Sequence, residues 1–413
     1  MPEIIKTEIA IIGAGPAGLA AAIALGKNNI PCLLIEKDRF PRGKICGDGL
    51  SGKVISNLNR LDPSFVKEIA GSGFATPSYA ARFFSPQGRM LELGFKTDDP
   101  SIPPGFVCHR MDFDHFLLGK ALRHDRTRFL EGLGIERISK VNGVMVLEDA
   151  TGKVIIEAKL VLFAAAARRS LVRQLDPGYP GQVGEGIGIR GYYRDVVGSD
   201  QKHAIEIHFF KELLPWYFWI FPYADGSANV GLALPESQAK KMDKSLKEIL
   251  FQIIHTNPHL QKRFSNATLQ GKIEAHRLPV YNAGGCKVAG DQYLLLGDAA
   301  RLVDPFTGEG IGNAIVSGIK AAEVAEKCYH ENDYSPSITG QYQEIIAEKL
   351  YSELDLSLKL QNLARKQRLI NLVIGKASRD ENLQELIADM LYSTYAKNKL
   401  NNPWFYLKIL LGV

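Results

Sequence analysis

Residues 9–26 form a run of 18 positions without a charge. A run this long invites a membrane-span or signal-peptide reading. Gly13, Gly15, Pro16 and Gly18 interrupt it, however, Glu3, Lys6 and Glu8 precede it, and Lys27 follows at once. The pattern divides instead into an apolar strand over residues 8–12, a glycine turn, and an alanine-rich helix that includes residues 19–25. A second apolar strand over 32–35 ends in Glu36, and further buried strands are predicted over 160–163 and 293–296, the last followed by a helix through about 327. Between these lie short β-branched or aromatic runs at 82–85, 90–93, 187–194, 204–210, 217–221 and 228–234. Separated by turn residues, they predict one antiparallel sheet, with residues 245–255 as a covering helix. Period-two alternation puts Tyr217 and Trp219 on one face and Phe218 and Ile220 on the other. The first pair suits one wall of a substrate chamber or, equally, plain core, since aromatic side chains dominate most cores.

The last seventy or so residues are helical in pattern. From 356 to 379 they carry six cations and no acid, with apolar positions at Leu356, Leu360, Leu363, Ile370 and Ile374. The closing stretch 403–411 is too short to span a bilayer. With the cations it could rest on an anionic membrane surface as a peripheral contact; the alternative is a docked helix with a solvated basic face.

Composition narrows the class. At about 150 residues per domain, 413 residues predict two to three domains, and 46% hydrophobic content supplies a core for each. Five widely spaced cysteines with no CxxC pair argue against a disulfide framework and against iron–sulfur or zinc sites, so a cytoplasmic protein is expected. A net charge of +5 is too mild to suggest nucleic acid. Glycine is the outlier, with 39 copies that cluster.

The cluster Gly13-Ala14-Gly15-Pro16-Ala17-Gly18 lies between a strand and a helix. There the first glycine allows a tight turn, the second lets the backbone approach a pyrophosphate, and the third lets helix and strand pack closely. The helix N-terminus offers free N–H groups to phosphate, and Glu36 is spaced to accept hydrogen bonds from an adenosine ribose. NAD and FAD share that half. The run Gly297-Asp298-Ala299-Ala300, followed by residues 304–311 (DPFTGEGI), favours FAD. An aspartate at a strand end can bond a ribityl hydroxyl, which NAD lacks, and the Gly308 to Gly310 loop aims backbone N–H groups and a helix N-terminus at a flavin ring.

The glycine turn with Glu36, the Arg110-x-x-Phe113-Asp114-x-x-Leu117 segment and the 297–311 run resemble the para-hydroxybenzoate hydroxylase superfamily of FAD enzymes. The segments 44–49 (KICGDG) and 217–222 (YFWIFP), the latter followed by Asn229-Val230-Gly231, are similar to the geranylgeranyl reductase-like branch. The resemblance spans most of residues 1–330. It implies an α/β fold: a Rossmann-like FAD-binding domain (1–75, 105–175 and 276–345), an inserted antiparallel β-sheet substrate domain (76–104 and 176–275), and a C-terminal helical region (346–413). It implies FAD held by Gly13, Gly15, Ala17, Gly18, Glu36, Lys37, Lys44, Gly47 and Arg110 and, at the ring end, by Gly297, Asp298, Pro305, Gly308, Gly310 and Ile311. Cys46, Tyr217 and Trp219 would form the catalytic side. Cys46 has two readings, a proton-relay or gating thiol and an inert buried one, and so has Arg110, a donor to cofactor oxygens or the partner of Asp114 in an ion pair. The implied activity is reduction of carbon–carbon double bonds in a prenyl or other apolar lipid substrate. A hydroxylase on the same fold and a membrane-surface electron carrier are the alternatives. Many members carry Gly-Ala-Asp-Gly in mid-chain, where this sequence has Ala166 in place of the aspartate, so the electron donor, NAD(P)H or a carrier protein, stays open.

Overall fold

The computed structural model describes residues 2–97, 99–165, 168–180 and 185–392. Ala166 and the 403–411 stretch lie outside the described residues.

The first residues of the uncharged run, 9–12, end the central strand of the larger sheet. Glu3–Ile12 pairs in parallel with Cys32–Glu36 on one side and with Val154–Phe163 on the other. Thr127–Glu131 and Tyr293–Leu295 extend this parallel core, so the order runs Ala289–Gly290, Tyr293–Leu295, Val154–Phe163, Glu3–Ile12, Cys32–Glu36, Thr127–Glu131. Val144–Asp149 and Ile135–Val141 join antiparallel on the near half of Val154–Phe163. Strands covered on both faces need continuous apolar runs, and Ile9, Ala10, Ile11, Leu33 and Leu34 are fully buried. The helix Pro16–Lys27 lies across this sheet against the helix Ile311–Glu331. Small residues set how near the two come: a Cβ on Gly318 would stand 2.2 Å from the carbonyl oxygen of Ala17.

The second sheet has seven strands in the order Thr268–Leu278, Gly186–Arg194, Ala228–Pro235, Phe218–Pro222, Ile205–His208, Ala80–Phe84, Met90–Gly94. Two features correct the expectation of one antiparallel sheet from six strands. Ile205–His208 pairs in parallel with Ala80–Phe84, because Ala80–Phe84 and Met90–Gly94 form their own hairpin and join the edge as a unit. The 11-residue strand Thr268–Leu278 was not foreseen. It has no fully buried position and a polar composition, so it carries no alternation to read. The covering helix is present as Leu246–Thr256, started by a capping box between Ser245 and Glu248. Its Leu250 and Ile253 pack in one cluster with Phe218, Ile220, Val230 and Leu232.

The basic C-terminal stretch is two helices, Ser352–Ala364 and Gln367–Ala377. Their apolar positions Leu356, Leu360, Ile370 and Ile374 pack against Leu91, Leu93 and Phe209 of the second sheet and its margin. That stripe is therefore used inside the molecule. Among the described residues no helix is long and apolar enough to cross a membrane.

Candidate functional site

The glycine turn is built by close approach. Gly13 has φ 101°, and its N–H donates to the Ile35 carbonyl at 2.8 Å. A Cβ on Gly18 would lie 2.0 Å from the Gly13 oxygen, whereas one on Gly15 would meet nothing within 4 Å among the described residues. The open side of the turn is thus at Gly15, beside a helix N-terminus with no side-chain cap. The unpaired N–H groups and positive dipole end of such a terminus suit a phosphate.

Glu36 braces this turn: its Oε2 accepts the Ala14 N–H at 2.9 Å. Lys37 points away, pairing with Asp38 at the surface. Arg42 is a residue that spacing did not single out. Its guanidinium donates to the Ala14 carbonyl at 2.7 Å and to Asp114 Oδ2 at 2.5 Å. Arg110, 4% exposed, makes the foreseen ion pair, holding Asp114 through Nε and Nη2 at 2.9 and 2.8 Å. It also lines the chamber described next, so both readings of Arg110 remain compatible with its position.

A cavity of about 330 Å³ runs from the N-termini of Pro16–Lys27 and Ile311–Glu331 to the face of the second sheet. Of the foreseen residues it brings together Lys44, Cys46, Gly47, Arg110, Tyr217, Trp219, Asp298, Gly308, Gly310 and Ile311. Its far wall is apolar, with Phe83, Ile207, Phe209, Phe221 and Leu278. Gly13, Gly15, Gly18 and Glu36 are not in it but sit at the turn, and Lys37 lies at the surface. Ala17 and Gly297 lie where the two helices meet, a Cβ on Gly297 standing 3.2 Å from those of Ala17 and Ala314.

At the helix end of the cavity, Lys44 Nζ lies 2.9 Å from Asp298 Oδ2. Burial would raise the Asp298 carboxyl, but the Lys44 ammonium outweighs it and holds the group below the usual range. The loop before Ile311–Glu331 is pinned from the margin of the second sheet and from the helix Ser352–Ala364. Trp216 Nε1 donates to the Pro305 carbonyl at 2.6 Å, Gln361 Nε2 donates to the same oxygen at 2.6 Å, and the Tyr217 hydroxyl donates to the Thr307 carbonyl. Burial pushes the Tyr217 hydroxyl well above its ordinary value, and Asp304 and Glu309 add to the effect, so it stays a neutral donor.

At the second-sheet end of the cavity, Tyr217 and Trp219 share the cavity face while Phe218 and Ile220 enter the core beneath the covering helix. Asn229, fully buried, joins Trp219 to the Cys46 loop: its Oδ1 accepts the indole N–H at 2.9 Å and its Nδ2 donates to the Cys46 carbonyl at 2.9 Å. Burial raises the Cys46 thiol above its ordinary value and Asp48 adds to this against Arg110, so Cys46 is a protonated thiol rather than a thiolate. Asp48, Asn229, Trp216 and Arg42 were missed as site residues. Asp48 and Asn229 lay within segments that carry the resemblance, 44–49 and 229–231, whereas Trp216 and Arg42 offered no signal.

Residues 11–62 match the NAD(P)-binding Rossmann-like domain family. The digeranylgeranylglycerophospholipid reductase of Methanoculleus marisnigri is 30% identical over 364 residues, covering 86% of this chain and 85% of that protein. Its counterpart in Thermoplasma volcanium is 27% identical over 92% of this chain and 90% of the relative. The chain belongs to the geranylgeranyl reductase-like flavoproteins. A solved geranylgeranyl bacteriochlorophyll reductase-like protein from Thermoplasma acidophilum shares the fold, with a TM-score of 0.80, 23% identity, and coverage of 97% of this chain and 99% of the other. As a geranylgeranyl reductase-like enzyme it is an oxidoreductase with a flavin cofactor. In this member the second sheet supplies the apolar wall, and the cavity joins that wall to the Gly310 helix N-terminus.

Proposed function

We propose that this enzyme binds FAD and reduces carbon–carbon double bonds of a prenyl or similarly apolar chain. The observation that carries the reading is the single cavity in which an uncapped helix N-terminus, a protonated Cys46 and an aromatic, aliphatic sheet face meet. The open side of Gly15 and the Pro16 helix N-terminus fit a pyrophosphate. Glu36 fits the adenosine ribose, and Lys44 with Asp298 fits the ribityl chain and ring. Bound reduced flavin supplies hydride. The Gly308 to Gly310 backbone and the N-terminus of Ile311–Glu331 favour negative charge near the ring. Tyr217 fixes that loop, Trp219 and Phe221 hold the alkene flat against it, and the apolar wall excludes water. Cys46 holds a proton for the second alkene carbon.

Anaerobic incubation of the reduced enzyme with a polyprenyl substrate should give a product heavier by two hydrogens for each bond reduced. Oxygen-dependent gain of an oxygen atom would establish the hydroxylase instead. Cys46→Ala should keep its flavin spectrum and lose about 100-fold or more in turnover, the usual size of a lost proton donor; unchanged turnover removes Cys46 from the reaction. Ala166 deprives the chain of the aspartate that relatives of this resemblance place near flavin and nicotinamide, so the reductant is proposed to be a carrier protein. Anaerobic mixing with NADPH should then leave the flavin oxidised over minutes, and rapid bleaching would overturn that assignment.

A further inference from the structure

Asp48 follows Cys46 by two positions, in a left-handed conformation with φ 68°, and is fully buried. Three neutral donors converge on one of its oxygens: Tyr192 Oη at 2.7 Å, Tyr223 Oη at 2.8 Å and Asn229 Nδ2 at 2.8 Å, all to Oδ2. Among the described residues Oδ1 has no hydrogen-bond partner. Buried carboxyl oxygens are normally satisfied, so a bare one beside a saturated one leaves a single place for a proton on this group. The carboxyl also has a route outward. The Tyr223 hydroxyl that donates to Asp48 lies 3.3 Å from His109 Nδ1, and the two rings stack at 4.4 Å and 14°. His109 is 39% exposed, so the chain of groups reaches the surface.

We propose that His109, Tyr223 and Asp48 form a proton path that reloads the Cys46 thiol from solvent after each reduction. The path rests on the alkene-reducing reading given above. Hydride forms the first C–H bond, and the Cys46 S–H proton forms the second, leaving a thiolate beside Arg110. Tyr223 passes its hydroxyl proton to the Asp48 carboxylate at Oδ2 and takes one from His109, which recovers its own from solvent. Rotation of the carboxyl about its Cβ–Cγ bond turns that proton to the open side, and Asp48 delivers it to the sulfur and returns to the carboxylate. The sum is one alkene, one hydride and one solvent proton giving one saturated bond, with both electrons from the flavin.

A dedicated path answers a need of this chamber, whose apolar wall keeps out the water that would otherwise reprotonate sulfur. Burial and the neighbouring Asp48 keep Tyr192 and Tyr223 protonated, so they remain donors. The other titratable and charged groups facing the path are Cys108 on Gly105–Cys108, Arg190 over the Tyr192 ring, Asp225 near His109, and Arg110 with Asp112 and Asp114 on the helix Arg110–Ala121.

Asp48→Asn, Tyr223→Phe and His109→Gln test the path, with the flavin spectrum and thermal unfolding checking that each variant folds. One readout needs no turnover: the pH dependence of Cys46 alkylation by iodoacetamide, followed on its peptide by mass spectrometry. Burial raises the Cys46 thiol most and the Asp48 charge adds to it, so Asp48→Asn should move the alkylation midpoint to lower pH. In single-turnover reduction, Tyr223→Phe should match the wild type, because the thiol starts loaded. In steady state it and His109→Gln should each lose about tenfold or more. Wild-type steady-state rates in both overturn the path, and so does an unmoved alkylation midpoint in Asp48→Asn, whether or not an alkene is reduced. A moved midpoint in an enzyme whose wild type reduces no alkene overturns the functional reading instead.

Discussion

Replacing Asp114 with asparagine should lower the unfolding free energy by about 3–5 kcal/mol at neutral pH, the range for removing one partner of a buried ion pair. Asp114 is fully buried and accepts from two guanidinium groups, Arg110 at 2.9 and 2.8 Å and Arg42 at 2.5 Å. Asparagine offers one oxygen where the carboxylate offers two, turns an NH₂ towards a cation, and leaves Arg110 without its carboxylate and Arg42 with only the longer contact to Glu36 at 3.5 Å. The pH dependence has a definite sign. Burial would raise the Asp114 carboxyl, but Arg110 and then Arg42 outweigh it and hold it below the usual carboxylate range. A depressed folded value means that the stabilisation is complete above about pH 4, where the unfolded chain is ionised, and is lost as pH falls through the folded value. The gap between wild type and Asp114→Asn should therefore be widest at pH 7 and shrink in stronger acid. Urea unfolding at several pH values measures it, and a gap below about 1 kcal/mol at pH 7 would refute the assignment. Because Arg42 also holds the Ala14 carbonyl, the variant should bind flavin more weakly as well.

Gly18→Ala should yield protein without bound flavin. The added methyl would sit 2.0 Å from the Gly13 oxygen and 3.2 Å from the Ile11 side chain. The Gly13 backbone cannot retreat easily, since its N–H is fixed to the Ile35 carbonyl. The helix Pro16–Lys27 must move off the sheet instead, which carries its N-terminus out of position and costs about 1–3 kcal/mol in overpacking. Gly15→Ala makes the control. Its methyl would enter the open space where the pyrophosphate is proposed to lie, so flavin should be lost with little change in thermal stability. Absorbance near the flavin bands and a melting curve on both variants separate the outcomes. Flavin retained at full occupancy in both would place the dinucleotide elsewhere.

The parts of this molecule legible in the sequence are those whose cause is local. Residues 9–26 announce a strand, a turn and a helix because no charge interrupts them, and the 217–221 run announces its two faces by alternation. The Thr268–Leu278 strand was hidden because its polar, half-exposed residues leave no period. The parallel pairing of Ile205–His208 with Ala80–Phe84 was hidden because no turn joins them. The candidate site divides the same way. Gly13, Gly18 and Gly310 are readable since backbone geometry demands them, whereas Arg42, Trp216, Asn229 and Asp48 acquire their roles only where distant segments converge. Lys37 follows Glu36 in sequence yet turns to the surface, since consecutive residues point to opposite sides at a strand end.

The central strand Glu3–Ile12 takes one neighbour from nearby in the chain, Cys32–Glu36, and the other from Val154–Phe163, while Tyr293–Leu295 completes that side much later. Strands of the second sheet are interleaved between these pieces. During synthesis the first strand must therefore wait, with one apolar edge uncovered, until the ribosome has delivered the middle of the chain. Neither sheet can close before the other is partly made. Non-local pairing of this kind slows folding and leaves strand edges exposed to aggregation. Production of the protein should depend on chaperones and low temperature more than its dense finished core would suggest, and excising either sheet as a separate fragment should give insoluble material.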